Sequence, residues 1–103
     1  MRIIKESTLK KYFLQSKNKL AKESIIAWIY EVRNSDWDSA KDLKSKYGNA
    51  SIISSKRVVF NIKGNDYRLI VYIEYKLKIV FVVWFGTHTE YDNLNAKTVS
   101  YED

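Results

Sequence analysis

A strict alternation of side chains that leads into a tight turn constrains the fold of this chain more than any other feature. Val58, Phe60 and Ile62 occupy every second position of one short segment, which is the period-two pattern of a β-strand with one buried face. Gly64 and Asn65 follow directly, and this pair predicts a two-residue hairpin turn. The chain must therefore reverse here and pair with whatever comes next.

Two more strands are predicted after the turn. The segments Tyr67 to Tyr75 and Ile79 to Phe85 are rich in β-branched and aromatic residues, and a second turn near Lys76 and Leu77 separates them. Three consecutive strands joined in this way predict an antiparallel meander. The segment Arg2 to Ile4 is expected to add an edge strand.

The first half of the chain predicts helices. Ser7 or Thr8 is expected to cap a first helix whose apolar residues include Leu9, Tyr12 and Phe13. The segment from Ser39 to Tyr47 predicts a short helix that ends before Gly48 and Asn49. Between them, five apolar residues share one face of the clearest helix: Ala21, Ile25, Trp28, Ile29 and Val32. The predicted fold is α+β, with two or three N-terminal helices packed on one face of a small antiparallel β-sheet.

Length and composition limit the class of protein. At 103 residues the chain is expected to form one domain, residues 1–103, with one hydrophobic core. Cysteine is absent, no secretory signal is recognisable at the charged N-terminus, and the longest apolar run is far short of the roughly 20 residues that cross a membrane. These features predict a soluble, cytoplasmic protein without a membrane partner. The net charge of +6 favours a polyanionic partner such as nucleic acid, and it also suits an acidic protein.

The hairpin register predicts which polar side chains share a face of the sheet. With Gly64 and Asn65 as the loop, Asn61 lies opposite Arg68 and Arg57 lies opposite Tyr72. Arg57, Asn61 and Arg68 then share one face, and the apolar side chains face the helices on the other.

The second turn extends this register to the third strand. With Lys76 and Leu77 as its two loop residues, Phe85 lies opposite Arg68 and Thr87 lies opposite Asp66. His88, the only histidine of the chain, is therefore expected beside the end of the strand that carries Arg68.

The side chains gathered in this way suit RNA cleavage by the ribose 2′-hydroxyl. Arg68 offers a fork of donors for a phosphate, and the imidazole of His88 can accept or donate a proton. Such a reaction needs a base, an acid and stabilisation of charge on the phosphorane. With one histidine present, Tyr91, Glu90 or Lys63 would fill the remaining role, and the sequence leaves these three alternatives open.

The same residues also have structural interpretations. A histidine after a strand is often a solvated side chain, and Arg68 could pair with Asp66, Glu74 or Glu90. From composition and spacing alone, a basic module that binds RNA or a ribosomal surface without cutting it is the main alternative to an enzyme. A third possibility is an inactive protein that only binds a partner protein.

The order of these motifs resembles the HigB family of toxins from bacterial type II toxin-antitoxin modules. The resemblance rests on Phe60-Asn61-Ile62, Gly64-Asn65, Tyr67-Arg68-Leu69, Gly86-Thr87-His88 and Glu90-Tyr91-Asp92, and it extends from Met1 to about Val99. It implies a RelE-like fold and an mRNA interferase that cleaves messenger RNA, typically on the translating ribosome, without a metal or other cofactor.

The resemblance also implies roles and partners. Arg68, His88 and Tyr91 are the expected catalytic residues, and the expected RNA-binding residues are Arg57, Asn61, Lys63, Asn65 and Thr87. The partners it implies are mRNA, the ribosome, and a helix-turn-helix antitoxin of the HigA type that holds the toxin inactive in a hetero-oligomeric complex.

Overall fold

In the described part of the chain, helices pack against one five-stranded sheet. A computed structural model describes residues 1–13 and 20–99. The elements in this part of the chain are β1 (Arg2–Ile4), α1 (Glu6–Phe13), α2 (Lys22–Arg33), α3 (Ala40–Lys46), β2 (Ser51–Ile52), β3 (Arg57–Ile62), β4 (Tyr67–Glu74), β5 (Ile79–Thr87) and α4 (His88–Asp92). The fold class is α+β, as predicted.

The sheet is mixed, whereas the sequence predicted an antiparallel one. Its strand order is β1-β5-β4-β3-β2, and β1 runs parallel to β5 while the other neighbours are antiparallel. No hairpin ties β1 to its neighbour, because the helices separate it from the meander, so its direction is not set by a turn. The edge strand itself was predicted at the correct residues.

The hairpin between β3 and β4 has the predicted register. Asn61 pairs with Arg68 and Arg57 pairs with Tyr72. The last pair of the ladder is Ile62 with Tyr67, and the backbone N–H of Asp66 donates to the carbonyl oxygen of Lys63 at 3.2 Å, which closes the turn around Gly64 and Asn65 as predicted. Gly64 has a φ of +64° there, a backbone conformation that glycine adopts without steric cost.

A β-bulge displaces the predicted register between β4 and β5. Val71 pairs with Val82 as predicted, but Ile70 pairs with Trp84, so Val83 is the extra residue. Beyond the bulge, Gly86 lies opposite Arg68 and Thr87 lies opposite Tyr67. The predicted pairs of Phe85 with Arg68 and of Thr87 with Asp66 are therefore wrong by one residue.

The main core lies between the helices and one face of the sheet. Ile25, Trp28, Ile29 and Val32 are buried on α2, as their spacing predicted, and they join Leu9 and Leu43 in one cluster with the sheet. The sheet contributes Val58, Phe60, Ile62, Tyr67, Leu69, Val71 and Ile73, which is the predicted apolar face. The first helix begins at Glu6 rather than after Ser7 or Thr8, and the side chains of Tyr12 and Phe13 lie outside the described part of the chain.

The opposite face of the sheet is also covered, which the sequence did not predict. Val59, Ile70 and Val83 are buried there, and partly buried side chains from α4 and the residues after it pack on them, including Leu94, Ala96 and Val99. This second layer is formed by the end of the described chain. Within residues 1–13 and 20–99, every helix is too short or too polar to cross a membrane.

Candidate functional site

The site begins where β5 ends and α4 starts. Thr87 is the N-cap of α4, and its hydroxyl accepts a hydrogen bond from the backbone N–H of Glu90 at 3.2 Å. The Glu90 carboxylate accepts in return from the Thr87 backbone N–H at 2.9 Å. This capping box satisfies two of the unpaired N–H groups at the start of the helix. It fixes the direction in which the five-residue α4 leaves the sheet.

The first residue of α4 is tied to the β3–β4 hairpin. The backbone N–H of His88 donates to the carbonyl oxygen of Asp66 at 3.0 Å. The imidazole itself is about half exposed, and its Nδ1 lies 3.8 Å from a carboxylate oxygen of Asp92, one helical turn later. His88 therefore lies beside the end of β4, as predicted, with its ring open to solvent.

Arg68 is held in place by the hairpin loop. Its Nη2 donates to the side-chain oxygen of Asn65 at 2.7 Å, and its Nη1 donates to the carbonyl oxygens of Asn65 and Tyr67 at 3.0 and 3.1 Å. These contacts engage three of the five guanidinium N–H groups. Among the described residues, the Nε–H and one Nη2 hydrogen have no recorded acceptor, so they are available to an anion.

An aromatic pair completes the cluster. The Cζ atom of Arg68 lies 5.9 Å from the centre of the Tyr91 ring, within cation–π range. Tyr91 in turn lies 6.4 Å from the Trp84 ring, at an interplanar angle of 46°. Tyr91 is thus half buried and contacts both the Arg68 guanidinium and the Trp84 ring.

Gly86 makes this arrangement possible. It is buried opposite Arg68, and a Cβ atom there would lie 2.6 Å from the Trp84 ring and 2.8 Å from Glu90 Oε1. Because Gly86 has no side chain, the Trp84 ring and the Glu90 carboxylate can both pack against this position.

The structure therefore brings Asn65, Arg68, Thr87, His88 and Tyr91 together at one end of the sheet. The recorded contacts of Arg68 in the described chain are with asparagine, backbone carbonyls and Tyr91, rather than with the carboxylates considered as structural partners. Thr87 and Glu90 serve the cap, so their polar atoms are engaged within the protein.

The other expected RNA-binding residues lie around or away from this cluster. Lys63 is exposed on the hairpin, with its Nζ 3.5 Å from Asp66. Asn61 lies across the ladder from Arg68 and lines a groove beside α2. Arg57 lies four residues before Asn61 on β3, which at the rise of a strand places it about 13 Å from Asn61. Its Nη1 donates to the carbonyl oxygens of Ala96 and Val99, both at 2.9 Å, so it anchors the second layer.

Several groups with shifted pKa values lie at the other end of the sheet. Lys56 donates to Glu74 at 2.6 Å, and this hydrogen bond lowers the pKa of the Glu74 carboxyl and raises the pKa of the Lys56 ammonium. Burial raises the pKa of the Tyr75 hydroxyl, which has no hydrogen-bond partner among the described residues. These groups lie apart from the Arg68 cluster.

Sequence reasoning missed α4, the bulge and the part played by Trp84. The signal for α4 was present, because Thr87 followed by Glu90 three residues later is the pattern of a capping box. The signal for the bulge was not, since an uninterrupted strand and a bulged one have similar compositions here.

The arrangement can bind an anion and transfer a proton beside it. Two remaining donors of Arg68 can hold a phosphate, and a solvent-exposed imidazole lies one helical turn from the phenol of Tyr91. An aromatic ring next to a guanidinium is also suited to stacking on a nucleobase.

Comparison with known protein families agrees with the α+β fold. A family model described as the RelE-like toxic component of a toxin-antitoxin system matches residues 21–94, which include the hairpin, β5 and α4. The class of protein is therefore the toxin of such a system. The chain belongs to the HigB toxin family. No curated protein matches the chain.

Proposed function

We propose that this toxin is a metal-independent endoribonuclease that cleaves messenger RNA, acting on mRNA bound to translating ribosomes. The observation that supports this most directly is the convergence of Arg68 from β4 with His88 and Tyr91 from α4. The three side chains come from β4 and α4. The His88 N–H ties the start of α4 to Asp66, the residue before β4, and the Arg68–Tyr91 contact joins the two elements, while the capping box fixes the start of α4.

In the proposed reaction, the ribose 2′-hydroxyl attacks the adjacent phosphorus. A base removes the 2′ proton, the bond to the 5′-oxygen breaks, and an acid protonates that oxygen, leaving a 2′,3′-cyclic phosphate and a 5′-hydroxyl. Arg68 stabilises the phosphorane through its remaining donors. His88 acts as base or acid, and Tyr91 assists by stacking or by proton transfer.

The surrounding residues contribute position and potential. Asn65 holds the guanidinium of Arg68, Thr87 begins the helix that carries His88, and Lys63 adds positive charge at the hairpin. Asn61 extends the polar surface across the strand pair. Arg57 adds charge further along the path of the RNA, although its contacts are with the second layer.

The family implies an antitoxin partner. We propose that it is a helix-turn-helix protein of the HigA type, encoded in the same operon, that keeps the toxin inactive in a hetero-oligomeric complex. The whole chain then works as a single RelE-like domain in the bacterial cytoplasm.

The test is induction of the chain in a bacterial host beside His88→Ala and Arg68→Ala variants. We expect growth arrest and new mRNA 5′ ends with the unsubstituted chain, and both should be lost in the variants at equal soluble expression. A proton-transfer group is worth about 10²–10⁴-fold in rate, so His88→Ala should reduce cleavage by at least about 10²-fold. A Lys97→Ala variant, on the exposed C-terminal segment, serves as the matched control and should remain toxic.

Binding separates the enzyme from a non-catalytic RNA-binding module. An enzyme should keep most of its RNA affinity when His88 is replaced, because the imidazole acts mainly in the transition state. Growth arrest without new RNA ends, or cleavage undiminished in both variants, would contradict the proposal.

A further inference from the structure

A groove with an apolar floor runs between α1 and α2. It has a volume of about 450 Å³, and its lining comes from both helices: Glu6, Lys10, Lys22, Ile26, Ile29, Tyr30 and Arg33. Apart from Ile29, which also belongs to the main core, the α2 residues lie on the flank of that helix, roughly a quarter turn from the stripe that packs on the sheet. The groove therefore opens beside the main core, and Ile29 is shared between them.

Large apolar side chains are exposed at the groove. Tyr30 is 70% exposed and Ile26 is 50% exposed, one helical turn apart, while Ile29 beneath them is buried. Isolated exposed apolar residues are common, but neighbouring ones that border a concave surface mark an interaction site. Ile26 and Tyr30 can therefore pack against apolar side chains of a partner.

The charges at the groove favour an acidic partner. Three basic side chains border it against one carboxylate, and Glu6 is already paired with Lys10 at 3.1 Å and with Arg33 at 2.5 Å. Lys22 is exposed at the start of α2. The remaining positive charge is complementary to an acidic segment and would be repelled by a basic one.

We propose that this α1–α2 groove is the docking surface for the antitoxin, and that it receives an acidic amphipathic helix. Apolar residues of that helix, spaced three or four apart, would enter between Ile26 and Tyr30, with carboxylates next to Lys22. The inference rests on the part of the proposed function that gives the toxin a neutralising antitoxin. It does not depend on RNA cleavage.

The groove and the Arg68 cluster lie on different sides of the sheet. α2 packs on the face that carries Phe60 and Leu69, whereas Arg68 alternates to the other face and contacts α4. Substitutions in the groove are therefore expected to change antitoxin binding without altering the groups proposed for catalysis.

The experiment measures the dissociation constant between the purified toxin and the full-length antitoxin of the same operon. All toxin proteins carry His88→Ala, so that their production does not depend on whether the toxin cleaves RNA. Ile26→Asp and Tyr30→Asp place a carboxylate in the groove, and we expect each to weaken binding at least tenfold. Leu77→Asp is the matched control, since Leu77 is 68% exposed on the β4–β5 turn and does not line the groove.

A charge variant tests the chemistry of the partner. Lys22→Glu should slow association and flatten the dependence of binding on salt concentration, because it removes an attraction at the rim. Thermal unfolding of each variant within a few degrees of the parent shows that the fold is retained. If Lys22→Glu leaves the salt dependence of antitoxin binding unchanged, the proposal that the partner segment is acidic is overturned.

Two other outcomes would also overturn the proposal. One is binding of the Ile26→Asp and Tyr30→Asp variants as tight as that of Leu77→Asp. The other is a dimer of the toxin alone that Tyr30→Asp disperses while antitoxin affinity is unchanged, which would assign the groove to a second copy of the chain. Neither outcome depends on whether the toxin cuts RNA.

Discussion

Replacement of Gly86 by alanine should damage both stability and the candidate site. The new Cβ atom would lie 2.6 and 2.7 Å from two Trp84 ring atoms and 2.8 Å from Glu90 Oε1. Contacts this short cannot persist, so the indole, the capping carboxylate or the strand must move. Each of these movements disturbs α4, which carries His88 and Tyr91.

The size of the effect follows from two costs. Forcing an extra methyl into a packed site costs about 1–3 kcal/mol, and loss of a helix cap costs about 1 kcal/mol. Gly86→Ala should therefore lower the free energy of unfolding by about 2–4 kcal/mol, a large share of the 5–15 kcal/mol typical of a domain.

Urea denaturation followed by tryptophan fluorescence measures this change, and Gly48→Ala provides the control. A Cβ atom on Gly48 would meet nothing within 4 Å, and its φ is not positive, so that variant should change stability by less than about 1 kcal/mol. Adding Trp84→Leu to Gly86→Ala should recover part of the loss by removing the clashing ring. Equal stability of the two alanine variants would refute the steric argument.

Two further predictions concern the second layer and the response to pH. Arg57→Leu removes the donors to Ala96 and Val99, so trypsin should cut the segment after α4 faster at Lys97. Lys63→Ala, at an exposed hairpin position, should leave that rate unchanged. Equal cleavage rates in the two variants would contradict an anchoring role for Arg57. Burial raises the pKa of the Tyr75 hydroxyl, so the folded state holds that proton more tightly than the unfolded chain does. The resulting stability is complete below the unfolded pKa of about 10 and is lost as pH rises through the folded pKa. The free energy of unfolding, measured from pH 8 to 11, should therefore fall less steeply with pH in Tyr75→Phe than in the unsubstituted chain. Identical slopes would count against this linkage.

The sequence predicted the parts of the fold that local periodicity controls. The buried stripe of α2 and the pairing of Asn61 with Arg68 follow from side-chain spacing and from a turn that Gly64 defines. The core face of the meander followed from the same alternation. These features depend on residues close together in the chain, so a pattern can reveal them.

The remaining features depend on contacts between distant residues. Whether β1 runs parallel or antiparallel, and whether the last residues cover the sheet, depends on packing that no local pattern encodes. The placement of His88 beside β4 was predicted, and the backbone hydrogen bond to Asp66 confirms it. The anchoring contacts of Arg57 with Ala96 and Val99, 39 and 42 residues away, were outside the reach of sequence spacing.

The extra residue Val83 determines which residues of β5 face the core and which face the candidate site. Before it, Val80 and Val82 point toward the helices; after it, Phe85 does so, and Gly86 takes the position opposite Arg68. If the same sequence paired regularly without the bulge, Phe85 would lie opposite Arg68 and Gly86 would face the core, which would place a benzyl group next to the guanidinium and leave a hole in the core. The bulge therefore lets one strand keep Phe85 in the core and place the residue without a side chain beside the guanidinium.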